Sequence, residues 1–187
     1  MDEKGILDGA LFTKEKRHEL FGRVAGGSGS IHPERYQRSL IISNTGRDCP
    51  KTHMRINLRK RELVEIVRLP SPGRYDYTED FDGVQVFDHK KVYVNLKCVA
   101  GKGGSQTRTL RNVYSFVEGQ LNVLLNGEDV YFANVLDGDE SSEAMVEFEY
   151  LLSLPEYASI QHRVYVGDLK NYIEWIRPAK KVIIEED

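Results

Sequence analysis

The sequence predicts an α/β fold in which a central mixed β-sheet is flanked by helices. Three observations lead to this prediction. Several segments of ten residues or more carry apolar residues at helical spacing. In the centre of the chain the pattern changes to short alternating runs rich in β-branched residues, which is typical of strands. Strand-like and helical segments then alternate toward the C-terminus, as in a sheet layered with helices.

Composition places the chain among ordinary soluble domains. Its 187 residues, 40% of them hydrophobic, are enough to bury a sizeable core. No apolar run approaches the ~20 residues of a membrane helix, and the first residues lack the basic-then-apolar order of a signal peptide. Cys49 and Cys98 form neither a disulfide framework nor a metal-ligand pattern. We therefore expect a cytoplasmic protein with reduced thiols and no membrane contact.

A helical arm is predicted at the N-terminus. Thr13 is a good N-cap for a helix over residues 13–24, which the glycine-rich residues 26–29 end. That glycine cluster is the only candidate linker in the chain. The sequence therefore predicts an arm over residues 1–30 and an α/β domain over residues 31–187.

Two further helices are predicted before the sheet begins. The stretch HPERYQRSLIIS carries Pro33 near its start, and proline fits the first turn of a helix. Residues 54–69 carry leucine and isoleucine near helical spacing, and the PSPG that follows would end the helix.

The sheet is predicted to begin with a hairpin. Residues 83–99 alternate or run apolar, and Asp88 and His89 supply a tight connection. Helix and strand patterns follow in turn. They predict a helix over 107–125, a strand over 129–136, a helix over 141–154, a strand over 162–169 and a short helix over 171–176.

The net charge of −3 hides an asymmetry along the chain. Residues 1–75 carry 15 Lys and Arg against 9 Asp and Glu, a net of +6, whereas residues 128–187 carry 5 against 14, a net of −9. A basic first third is compatible with a face that meets phosphates. A merely solvated surface explains the same charges equally well.

Asp82 and Lys97 stand at the two ends of the predicted hairpin. Because the chain folds back between them, both are expected at the same end of the sheet. A carboxylate there can bind Mg²⁺, and a neighbouring lysine can orient water or neutralise developing charge at a phosphate. The alternative is that Asp82 and Glu79 are exposed side chains of a turn without a catalytic role, while the aliphatic part of Lys97 lies along a strand edge.

This arrangement resembles the PD-(D/E)XK nuclease superfamily in its restriction-endonuclease-like branch, over roughly residues 54–140. Asp82 matches the first carboxylate, and Asn95-Leu96-Lys97 matches the (D/E)XK element. The resemblance implies an αβββαβ core running from the helix predicted at 54–69 to the strand at 129–136. It also implies site-specific cleavage of double-stranded DNA with Mg²⁺, for which Mn²⁺ can substitute. A palindromic target would make the protein a homodimer.

Asn95 departs from the family pattern, which has Asp or Glu at this position. A neutral amide is a weaker metal ligand, although Asn95 can still act as one. In some relatives the acid has moved to a neighbouring helix, which makes Glu65 the first candidate for the second carboxylate; Glu79 is the second because it is close in sequence. The missing acid also leaves open an inactive DNA-binding or scaffold module with the same fold. A domain that binds only other proteins is a third hypothesis.

The stretch GKGGSQTRTLR, residues 101–111, is a candidate DNA contact. Its cations and glycine backbone can follow phosphates at the start of a helix, and glutamine and arginine can also read base edges. A nucleotide-binding P-loop is excluded because the G-K-[ST] order is missing. The alternative is a flexible connection to a solvated helix. The residues expected to contact DNA are Lys102, Gln106, Arg108 and Arg111.

Overall fold

Helices cover both faces of a mixed β-sheet in the computed structural model, which describes residues 6–22 and 31–182. The α/β class predicted from the sequence is confirmed. In chain order the elements are α1 Lys14–Phe21, α2 Ile31–Thr45, β1 Met54–Asn57, β2 Glu62–Glu65, β3 Gly83–Phe87, β4 Lys90–Cys98, α3 Gly104–Leu125, β5 Tyr131–Asp137, α4 Asp139–Glu143, α5 Met145–Leu152, β6 Val164–Gly167 and α6 Leu169–Val182.

The main sheet has four strands in the order β3-β4-β5-β6. β3 and β4 are antiparallel, which confirms the predicted hairpin, and β4, β5 and β6 run parallel. Asp88 takes a φ of 53° in the two-residue connection, a left-handed conformation that aspartate tolerates better than most residues. Gly83 pairs with Val94. Asp82, which precedes β3, therefore lies beside the C-terminal part of β4.

The helix predicted over residues 54–69 is wrong. β1 and β2 instead form a separate two-stranded antiparallel sheet in which Met54 pairs with Glu65. Asn57 drives the turn between them, because its Oδ1 accepts the backbone N–H groups of Arg59 and Lys60 at 3.1 Å each. Local side-chain bonding of this kind competes with helix formation, and it outweighs the approximate helical spacing of the leucines.

The other predicted elements agree with the structure to within a few residues, with two exceptions. The helix predicted over 141–154 is divided into α4 and α5, which meet at Ala144, and the closing helix α6 is longer than predicted. In the part of the chain that the structure describes, no helix has the length and apolar character needed to cross a membrane.

The core consists of two apolar clusters, one on each face of the sheet. On one face, α3, α5 and β1 pack against a cluster that includes Tyr93 and Phe132. On the other, α2 and α6 cover Val92, Val94 and Leu96 of β4. Because successive strand residues point to opposite faces, Asn95 and Lys97 share the α3 side with Tyr93. That alternation directs the motif residues toward the candidate site.

Residues 6–22 pack against the sheet domain. Thr13 caps α1 as predicted, since its Oγ1 accepts the N–H of Lys16 at 3.3 Å. Gly9 donates its N–H to Asp168 Oδ2 at 3.0 Å, and its carbonyl accepts the N–H of Gly138 at 3.2 Å. The predicted linker at residues 26–29 lies outside the described residues, as does the end of the predicted first helix.

Candidate active site

An open cleft of about 1180 Å³ lies at the C-terminal end of β4. It is lined by the first turn of α2, by the chain between β2 and β3, and by one face of α3. In open α/β sheets, ligands characteristically bind near the carboxyl ends of the parallel strands. The residues proposed from the sequence that line this cleft are Glu79, Asp82, Asn95 and Lys97.

Asp82 and Lys97 meet in the cleft although they are far apart in sequence. Lys97 Nζ lies 3.5 Å from Asp82 Oδ2, which also accepts the Leu96 N–H at 2.8 Å. The two side chains are mostly buried, with 23% of the lysine and 18% of the aspartate exposed. Because Oδ2 already bonds to β4 and faces the lysine, Oδ1 is the oxygen available to a cation.

Helix α2 holds the backbone of both residues. Gln37 Nε2 donates to the Lys97 carbonyl at 3.0 Å and to Asp137 Oδ2 at 2.7 Å. Arg38 donates through Nη1 to the Cys49 carbonyl at 2.9 Å and through Nη2 to the Asp82 carbonyl. Neighbouring positions on one helix therefore fix the two chain segments whose side chains meet in the cleft.

Asn95 belongs to a buried ladder of amides beneath the cleft. Its Nδ2 donates to Asn134 Oδ1 at 3.3 Å, and Asn134 exchanges hydrogen bonds of 2.7 and 3.0 Å with Gln120. Only 2% of Asn95 is exposed. Since the amide nitrogen is engaged below, the carbonyl oxygen Oδ1 is the Asn95 atom that can serve a cation in the cleft.

The two glutamates proposed from the sequence occupy different places. Glu79 lines the cleft, with Oε2 3.9 Å from Lys97 Nζ, although 83% of its side chain is exposed. Glu65 is exposed at the end of β2 and is not among the residues around the cleft. The structure does not bring Glu65 to the site, because the helix expected to carry it is replaced by the β1–β2 hairpin.

Two acidic residues of the cleft were missed by the sequence reasoning: Asp80, which pairs with Arg55, and Glu34 in the first turn of α2. Glu34 lines the cleft and is half-buried. Burial raises the pKa of Glu34; the charge of Asp82 adds to the shift, and the charge of Lys97 opposes it. Glu34 therefore lines the same cleft as the Asp82–Lys97 pair. The missed signal was helical spacing, since Gln37, Ile41 and Thr45 are buried and Glu34 falls on the same stripe.

The acidic side chains of the cleft that could bind a metal ion offer oxygen atoms as ligands. Within residues 6–22 and 31–182, no three His, Cys, Asp or Glu side chains are grouped closely enough to hold a metal ion. Mg²⁺, however, binds one or two carboxylates and takes its remaining ligands from water and substrate phosphates. Asp82, Glu34 and Asn95 offer donors of the type that Mg²⁺ prefers. This donor set fits Mg²⁺ bound together with a phosphate.

Negative charge exceeds positive charge around the cleft. The charged residues that the structure describes there, four acidic and three basic, are Glu34, Glu79, Asp80, Asp82, Arg55, Arg74 and Lys97. Arg55 is already paired, since its Nε lies 2.7 Å from Asp80 Oδ1, although the N–H does not point at that oxygen. A phosphate entering the cleft is therefore repelled unless a cation neutralises the carboxylates.

The residues predicted to contact DNA lie outside the cleft lining. Lys102 is in the loop before α3, where its Nζ lies 3.5 Å from Glu143 Oε2. Gln106 accepts a hydrogen bond from the Ser105 hydroxyl in the first turn of α3. Arg108 and Arg111 are exposed on the same helix. Their contact with DNA stays a prediction.

Both cysteines are free thiols. Cys98 lines the cleft, and burial raises the pKa of its thiol to about 12, with the charge of Asp137 adding to the shift. Burial likewise raises the pKa of Cys49 to about 11. Because the thiolate is the nucleophilic form, neither cysteine is a candidate nucleophile at neutral pH.

Asp137 is expected to make the stability of the fold depend on pH. Burial raises its pKa from 3.8 to about 6, despite hydrogen bonds from Gln37 and the Leu169 N–H. Between these values the folded chain keeps a proton that the unfolded chain has released, so stability falls as the pH rises, by up to about 1.4 kcal/mol per unit. Asp137→Asn is expected to flatten this slope in urea unfolding curves recorded between pH 4 and 6.

The control for this measurement is Asp48→Asn, which changes an exposed aspartate in the chain between α2 and β1. This variant is expected to keep the wild-type slope. Equal slopes for the wild type and Asp137→Asn would show that Asp137 does not titrate in this window.

Comparison of the chain with protein-family models, curated proteins and solved structures found no match.

Proposed function

We propose that this protein is a Mg²⁺-dependent endonuclease that hydrolyses phosphodiester bonds of double-stranded DNA, with the site specificity of a restriction enzyme. The observation that carries the proposal is the contact of 3.5 Å between Lys97 Nζ and Asp82 Oδ2 in an open cleft. The hairpin β3–β4, the helix α3 and the parallel strand β5 follow one another in the order ββαβ, the last part of an αβββαβ core, while β1 and β2 lie in a separate sheet. In this proposal α2, rather than residues 54–69, supplies the first helix of that core.

Five of the residues that line the cleft have a role in the proposed reaction. Asp82 and Glu34 would hold Mg²⁺ through carboxylate oxygens, with Asn95 Oδ1 and Glu79 as further donors. When bound, the cation would neutralise the phosphate and lower the pKa of a coordinated water. Lys97 would orient the attacking water and stabilise the negative charge on the oxygens of the reacting phosphate.

The outer face of α3 is the proposed DNA contact. Its N-terminal turn presents backbone N–H groups, which favour phosphates. Lys102, Gln106, Arg108 and Arg111 lie along or just before this part of the helix. If the target is palindromic, a homodimer would present two such helices.

The second candidate is a DNA-binding or scaffold module that has lost catalysis. The observation that favours it is the amide at position 95, whose nitrogen is tied to Asn134 where the resemblance calls for an acid. The enzyme and an inactive DNA-binding module both need nucleic acid as a partner, but only the enzyme needs a metal ion to form products.

Supercoiled plasmid incubated with Mg²⁺ or Mn²⁺ separates these candidates. We expect nicked and linear products with either ion and none in EDTA, with Asp82→Ala as the control for contaminating nuclease. Because the cleft carries excess negative charge, EDTA is also expected to weaken DNA binding. DNA binding that persists in EDTA without products in any condition would support the inactive module. Absence of DNA binding even at low salt would refute both and favour a protein-binding domain.

A further inference from the structure

An exposed aromatic ring lies at the cleft, on the chain between β2 and β3. Tyr75 is 85% exposed and lines the cleft together with Arg74. The guanidinium carbon of Arg74 lies 5.3 Å from the centroid of the Tyr75 ring. Arg74 lies over one face of this ring, and the other face is a surface on which a nucleobase can stack.

The backbone beneath this ring is firmly held. Tyr75 lies in the short 3₁₀ turn Arg74–Asp76, in which the Asp76 N–H donates to the Gly73 carbonyl at 3.0 Å. Asp76 is fixed further, because its carbonyl accepts the Leu58 N–H at 2.8 Å and its Oδ1 accepts Arg59 Nε at 2.7 Å. Because the backbone is held before binding, only the side chain of Tyr75 has to be ordered when a ligand stacks on its ring.

Without a bound cation, the positive side chains deep in the cleft contribute little energy to DNA binding. Lys97 pairs with Asp82 and Arg55 pairs with Asp80, so the positive charges deep in the cleft are already matched. Phosphate attraction, which dominates duplex binding, is therefore weak in the cleft itself. Stacking does not depend on charge, but it requires a base whose face is uncovered, which a continuous duplex does not offer.

We propose that Arg74 and Tyr75 bind an unpaired base, and that the preferred substrate is DNA with a single-stranded stretch beside the duplex. This inference rests on the proposed function for the identity of the ligand as DNA. It narrows the substrate from any double-stranded site to one that has a flap, an overhang or a gap at the cleft.

Binding without cleavage tests the base-stacking site. Fluorescence anisotropy in Ca²⁺ would compare a blunt duplex, a duplex with an overhang and a single strand of the same length. We expect the overhang and the single strand to bind more tightly than the blunt duplex. Tyr75→Ala is expected to weaken overhang binding about 5- to 150-fold, the range for losing one stacked base. Tyr75→Phe keeps the ring and is expected to stay within about twofold of wild type.

The matched control is Tyr150→Ala, at a tyrosine that is 60% exposed on α5 and outside the cleft lining. It is expected to bind like the wild type. Equal binding of blunt and overhang duplexes, or unchanged binding by Tyr75→Ala, would overturn the inference.

A cleavage assay with Mg²⁺ tests the proposed nuclease activity independently of the stacking site. If Tyr75→Ala cleaves overhang substrates at the wild-type rate, the stacking site is refuted and the nuclease proposal stands. If DNA binding depends on Tyr75 but no DNA is cleaved, the nuclease proposal is refuted and the stacking site stands.

Discussion

Replacing Lys97 or Asp82 with alanine is expected to lower the rate of DNA cleavage at least about 100-fold, the usual effect of losing one group that stabilises charge in a transition state. Lys97→Ala removes the cation 3.5 Å from Asp82 Oδ2, and Asp82→Ala removes the carboxylate that is fixed by the Leu96 N–H. Initial rates on linear DNA at saturating Mg²⁺ measure the effect. Far-UV circular dichroism is expected to remain that of the wild type.

Lys91→Ala is the matched control, because Lys91 is an exposed lysine at the opposite end of the same strand, β4. It is expected to cleave at the wild-type rate. Full activity in either Lys97→Ala or Asp82→Ala would mean that this pair is a structural ion pair and that any nuclease activity resides elsewhere.

Glu34→Gln is expected to reduce cleavage at least about 100-fold, whereas Glu65→Gln is expected to leave it unchanged. Glu34 lines the cleft and interacts with Asp82 and Lys97, while Glu65 lies on β2 outside the cleft lining. Burial raises the pKa of Glu34, so the neutral amide is not expected to destabilise the fold. Initial rates measured over a range of Mg²⁺ concentrations would show both the lower rate and the higher Mg²⁺ requirement.

The same Mg²⁺ titration compares the contribution of Glu79 with that of Glu34. The side chain of Glu79 is 83% exposed. Glu79→Gln is expected to have a smaller effect than Glu34→Gln, because an exposed and loosely held carboxylate contributes less to a fixed ligand set. If Glu34→Gln and Glu65→Gln behave alike, α2 does not supply a ligand and the donor set proposed here is incorrect.

Much of the fold was predictable from local patterns. The hairpin β3–β4 follows from alternating β-branched residues around the turn at Asp88, and α3 follows from a regular apolar stripe. Residues 54–69 were mispredicted because short apolar segments satisfy helical and strand spacing almost equally. The hydrogen bonds of Asn57 with the following backbone decide between them.

The candidate site was only partly predictable. Asp82 and Lys97 belong to one hairpin, so their approach depends on local register and could be expected. The amide ladder of Asn95, Asn134 and Gln120 joins residues from three elements, and spacing in the sequence gives no sign of it.

Alternation along β4 and the turn at residues 88 and 89 are properties of neighbouring residues, so the sequence alone places Asp82 and Lys97 at the same edge of a sheet. Which acid accompanies them depends on how α2 packs across that sheet. This packing buries apolar side chains such as Ile41, which lie far from the hairpin in sequence. Only the tertiary structure therefore decides that Glu34, and not Glu65, lines the cleft of the aspartate–lysine pair, because long-range burial rather than local pattern sets the position of a helix on a sheet.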